Sequence, residues 1–182
     1  MKIRRALLLV ILMAGCGARA PHEPDRIYQN ARQQFRQGKL REALAEADRT
    51  LPKLGSESER AWRRRFLLLK SEVLVALEKP VEALQVLDRD APAAVDGSES
   101  RVRWLLLRGR AKTLTREYTE AGELLDEALR LAPGTSDPAL RAEVQLMRTS
   151  FFRRRQHWTP MEASARDALE LAKRSGDTYL EA

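Results

Sequence analysis

Two stretches forty residues apart align without a gap, and this constrains the fold more than any other feature of the chain. Residues 117–132 read Glu-Tyr-Thr-Glu-Ala-Gly-Glu-Leu-Leu-Asp-Glu-Ala-Leu-Arg-Leu-Ala. Residues 157–172 read His-Trp-Thr-Pro-Met-Glu-Ala-Ser-Ala-Arg-Asp-Ala-Leu-Glu-Leu-Ala. Each has an aromatic second, a small or apolar residue fifth and another ninth, then Ala-Leu-x-Leu-Ala. A period of this length marks an array of supersecondary units, none of which can bury its apolar face alone. The frame recurs upstream: Gly38-Lys39-Leu40-Arg41-Glu42-Ala43-Leu44 leads into Ala47 and Leu51, and Glu78-Lys79-Pro80-Val81-Glu82-Ala83-Leu84 leads into Leu87. Ala43, Ala83 and Ala121 hold the small position, where two antiparallel helices can approach closely.

Each of these segments follows another amphipathic one, at roughly 25–37, 57–78, 98–115 and 138–155. Their apolar residues recur at helical spacing, as in Leu67, Leu68, Leu74 and Val75. Short turns join the members of a pair, so the two must pack antiparallel. Composition agrees with an all-α chain. It is rich in Ala, Leu, Arg and Glu, which are good helix formers, and aromatic residues make up only 5%.

The paired pattern resembles the tetratricopeptide repeat (TPR) family. The Gly38-x-x-x-Glu42-Ala43-Leu44 start, the Tyr118-x-x-Ala121 pair, Gly109, Ala128 and Pro133 match family positions. The period departs from the family: about 38–40 residues here, against about 34. Repeat 2 departs further, with Pro80 and Asp90 where an aromatic and an alanine are usual. The resemblance covers residues 25–182 and implies a right-handed superhelical solenoid of about four repeats. Thr178-Tyr179-Leu180-Glu181-Ala182 reads as the start of a fifth pair, and no polar capping helix follows, the kind of end expected of a longer array.

In such a solenoid the first helix of each pair lines the concave face. The resemblance therefore implies a groove made of Tyr28, Arg32, Phe35 and Arg36 in repeat 1, and Arg65, Leu68 and Glu72 in repeat 2. Repeat 3 adds Arg103, Leu106, Arg110 and Leu114, and repeat 4 adds Leu146, Arg153 and Arg154. Arginine forks can grip a carboxylate, and apolar neighbours can hold an extended or helical segment. A peptide or protein partner is the expectation.

Residues 1–16 read MKIRRALLLVILMAGC. Basic Lys2, Arg4 and Arg5 precede an apolar run to Ala14 that is short for a membrane span and suits a secretory signal. Met13-Ala14-Gly15-Cys16 looks like a bacterial lipobox, which implies cleavage after residue 15 and acylation of Cys16. An ordinary signal cut after Ala18-Arg19-Ala20 would place Pro21 just past the cut. Gly17, rather than Asp, implies an outer-membrane address facing the periplasm. Residues 16–24 read as a tether and 25–182 as the repeat domain.

The formal net charge is +7, and three of those charges belong to the leader. The remaining excess does not argue for nucleic acid. One cysteine excludes an internal disulfide framework, and two histidines, His22 and His157, leave little for a metal site. No convergent nucleophile, carboxylate pair or phosphate loop is present, so neither catalysis nor a cofactor is expected. Arg63-Arg64-Arg65 and Arg153-Arg154-Arg155 each span most of a helix circumference and read as solvated faces. The leading expectation is an anchored scaffold. The alternatives are the recognition region of a larger enzyme, such as the arrays preceding CHAT protease domains, and a structural envelope-assembly protein.

Overall fold

The computed structural model describes residues 23–89 and 99–175. Cys16 and residues 176–182 lie outside them. Eight α-helices follow one another: α1 (Glu23–Arg36), α2 (Leu40–Thr50), α3 (Arg60–Ala76), α4 (Pro80–Asp88), α5 (Glu99–Leu114), α6 (Tyr118–Leu131), α7 (Pro138–Arg154) and α8 (Trp158–Ser175). Glu23 and Pro24, expected in the tether, already belong to α1. A proline is tolerated in the first helical turn, and Glu23 and Asp25 suit the positive end of the helix dipole. Residues 57–59 form a 3-10 turn that runs straight into α3, capped by reciprocal bonds between Ser56 and Glu59.

The helices pack in sequential pairs, α1 on α2, α3 on α4, α5 on α6 and α7 on α8, and α2, α4 and α6 each touch the first helix of the next pair. The first helices also touch in series, α1 to α3 to α5 to α7. This arrangement is consistent with a helical repeat. The turns inside the four pairs make the repetition concrete. Gly38, Glu78, Arg116 and Gln156 all take positive φ, between 58° and 74°. In each turn the next residue's N–H closes a 2.9 Å bond to the carbonyl five residues back: Lys39 to Gln34, Lys79 to Leu74, Glu117 to Lys112 and His157 to Phe152. This bond satisfies a carbonyl that the helix end would leave open. Only the first turn uses glycine, the residue that adopts this conformation without strain.

The small positions sit where the pairs touch. Ala43, Ala83 and Ala121 are all fully buried. Gly109 on α5 shows why: a Cβ there would meet Leu125 Cγ at 2.9 Å and the Ala121 carbonyl oxygen at 3.5 Å. The Leu125 side chain of α6 can pack this closely on α5 only because α5 has no side chain at that point.

The largest cluster of buried side chains joins α5, α6 and α7 through Leu105, Leu125, Leu140 and Val144. Trp104 links the second and third pairs, donating its indole N–H to the Leu87 carbonyl at 3.0 Å, with Arg101 and Arg108 against its ring. The connection from α6 to α7 is held by Arg141, which donates to the carbonyls of Ala132, Pro133 and Thr135. Among the described residues no helix is long and apolar enough to cross a membrane.

Candidate functional site

The row α1–α3–α5–α7 lines an open cavity of about 530 Å³. Its wall follows the repeat. Counting back from the positive-φ residue of each turn, thirteen residues gives Arg65, Arg103 and Glu143, and ten gives Tyr28, Leu68, Leu106 and Leu146. Nine gives Leu69, Leu107 and Met147, and six gives Arg32, Glu72 and Arg110. These offsets are spaced i, i+3, i+4 and i+7, which is one face of a helix. Four helices thus present equivalent faces to a single concavity.

Of the residues assigned to a groove from sequence, Tyr28, Arg32, Phe35, Arg65, Leu68, Glu72, Arg103, Leu106, Arg110 and Leu146 meet on this wall. Arg36, Arg153 and Arg154 do not. They are exposed in the last turns of α1 and α7 and do not line the cavity. Arg36 directly follows Phe35, the last residue of α1 on the wall, but is itself exposed. Leu114 packs instead into the apolar cluster of Leu74, Val75, Ala83 and Val86. The arginine triplets fan around their helices: Arg63 lines a separate shallow concavity with Asp48 and Lys70, while Arg65 faces the groove.

Two arginines on the floor are already engaged by acids. Arg32 on α1 donates to Glu72 on α3. Arg103 on α5 donates from Nη2 to Asp137 at 2.8 Å and from Nη1 to Glu143 at 3.1 Å. Asp137 has a second duty: its other oxygen accepts the Ala139 N–H at 2.9 Å and caps α7. Sequence reasoning passed over both acids. Asp137 before Pro138 is legible as a helix cap. Glu143 could have been found from the period, because it stands thirteen residues before its turn, as Arg103 does before its own.

At the aromatic end of the cavity the charge is stacked on a ring. The Arg65 guanidinium lies 4.7 Å from the Trp62 ring centre, and Tyr28 sits edge-on to Phe66 at 5.4 Å. Among the described residues no group of three or more His, Cys, Asp or Glu side chains is placed to hold a metal ion. His157 lies exposed in the α7–α8 turn, stacked on Phe152.

Burial pushes the Glu143 carboxyl above its ordinary 4.5, Arg103 opposes the shift, and the nearby Glu72 and Asp137 charges reinforce it. For Arg103, burial works against the charge, but Glu143, Asp137 and Glu72 outweigh it and raise its pKa. A carboxyl whose pKa is raised by folding binds more protons in the native state than unfolded. Its stabilising contribution is complete below 4.5 and is lost as pH rises through the raised value. Thermal melts of Glu143→Gln and the wild type from acid to neutral pH should therefore diverge, the wild type losing stability relative to the variant as pH rises above 4.5. Parallel curves would show that Glu143 does not titrate differently on folding. No protein-family model, curated protein or solved structure matches this chain.

Proposed function

We propose that this chain is an anchored scaffold: a TPR-like right-handed superhelical array of four repeats that binds a peptide or protein segment in the groove of its first helices. The observation that carries this reading is the convergence on one cavity of about 530 Å³ of equivalent positions from the first helices of four successive pairs. A concave surface with apolar walls and a few fixed charges is the usual form of a ligand site. Leu68, Leu106, Leu146 and Met147 supply the apolar part, and the ion pairs fix orientation. The leader adds position. The Met13-Ala14-Gly15-Cys16 lipobox is the basis for a lipid anchor on Cys16 that holds the array against an envelope membrane facing the periplasm.

Site-specific photocrosslinking in the cells that make the protein tests the groove. A crosslinker at Leu146 should yield a discrete adduct, and one at Val81, exposed on α4 outside the groove, should not. Absence of any adduct from Leu146, or the same adduct from Val81, would remove the groove from the proposal. The anchor has its own test: Cys16→Ser should move the protein from the membrane fraction to the soluble one, and retention would exclude lipid as the anchor.

A further inference from the structure

Five charges are linked at the floor of the groove: Arg32 on α1, Glu72 on α3, Arg103 on α5 and Glu143 in α7 line it, and Asp137, the cap of α7, pairs with Arg103 from outside the lining. Three are acids and two are arginines. One guanidinium, that of Arg103, is shared between two carboxylates. All five side chains are between 18% and 28% exposed, so solvent screens them only in part while a ligand can still reach them. The rest of the wall adds Arg65, Arg110 and Glu99. Arg65 is exposed and stacked on Trp62, and Arg110 is engaged in contacts of its own. Asp137 aside, the lining carries four arginines and three glutamates, and the excess of acid is confined to the cluster around Arg103.

A carboxylate accepts several hydrogen bonds, and Glu143 has one guanidinium contact, shared with Asp137. An alkylammonium or guanidinium would bring both the missing charge and further N–H donors. Its aliphatic stem could lie along Leu106, Leu146 and Met147, as long cationic side chains do on apolar surface. An anionic group at the same depth would face Glu72 and Glu143, whose charges already repel one another. We propose, building on the groove reading above, that the groove selects a protein segment bearing a lysine or arginine, with the cation seated beside Glu143 and Glu72. This reverses the expectation drawn from the arginines in the sequence, because Arg32 and Arg103 are held by acids of the groove itself.

The test is to pan a phage-displayed random heptapeptide library against the immobilised full chain, and against Glu143→Gln and Glu72→Gln, at neutral pH and moderate salt. The chain's formal charge of +7 attracts acidic peptides at long range, so a basic consensus would be a signature of the groove and not of the overall field. Lysine or arginine should be enriched about tenfold at one position, a ratio that one hydrogen bond to a charged group supports. The enrichment should collapse with either glutamine variant while apolar preferences persist. Two carboxylate sites are tested because either variant alone could disturb folding, which far-UV circular dichroism would report. An acidic or uncharged consensus, or a basic one indifferent to both variants, overturns the proposal and leaves the groove standing. Enrichment of no sequence at all overturns the groove reading itself, and this proposal with it.

Discussion

Phe66→Ala should lower the free energy of unfolding by about 3–5 kcal/mol, the range for emptying a buried aromatic site. Phe66 is fully buried in the cluster where α3 meets the first pair, between Ala47, Leu54 and the partly buried Ile27, Tyr28, Leu51 and Trp62. Two of its neighbours are alanine and leucine on segments held by their own helix and turn bonds, so the cavity has little freedom to collapse. The loss includes an edge-to-face contact with Tyr28 at 5.4 Å, an arrangement that contributes about 0.5–1.5 kcal/mol beyond area burial. In an array where each pair contacts chiefly its neighbours, destabilisation stays local before it becomes global. The α1–α2 pair should therefore lose amide protection first in hydrogen exchange, with α5–α8 retaining it. Urea denaturation followed by circular dichroism gives the total, and a shift of the whole curve with uniform loss of protection would argue against a modular array. Because Tyr28 also lines the groove, the same substitution should weaken ligand binding without touching a charged group.

What could be read in advance was whatever the repeat expresses in residue type. The small positions were legible because close helix approach leaves no substitute for Ala43, Ala83 and Ala121, all fully buried. The turns were half legible. Gly38 announces its left-handed conformation, but Glu78, Arg116 and Gln156 adopt the same one with ordinary side chains. There the geometry is imposed by two packed helices that must reverse over three residues, and nothing local records it. The groove face was legible to the extent that a helix repeats every seven residues, and it failed in the last turns of the first helices. Arg36, Leu114, Arg153 and Arg154 all lie in the last turns of first helices, where Leu114 packs inward against α3 and α4 and the three arginines are exposed. Least legible was charge pairing between repeats. Arg32 with Glu72, and Arg103 with Glu143, are each forty residues apart. A single chain read in order shows such residues as surface charges, whereas stacking the first helices makes them partners.

Replacing Arg103 by methionine is the variant that isolates this pairing. Methionine keeps an unbranched stem of comparable shape, so packing changes little and the guanidinium is what is lost. Asp137 and Glu143 are then left without their shared cation, next to Glu72, in side-chain surroundings only about a quarter exposed. Stripping one partner from a fully buried pair costs about 3–5 kcal/mol. With this much solvent access the expected loss at neutral pH is about 2–3 kcal/mol. The pH dependence separates this cause from a packing defect. Arg103 opposes the upward shift of the Glu143 carboxyl, so its removal raises that pKa further. The raised carboxyl protonates on acidification and its penalty disappears, so the stability gap between wild type and variant should shrink as pH falls from neutral toward 4.5. A gap that stays constant with pH would mean that Arg103 acts through its stem and not its charge. The floor of the variant also gains net negative charge, so a basic peptide that binds the wild type should bind the less stable variant more tightly. Stability and affinity moving in opposite directions is an outcome that a purely structural ion pair would not produce.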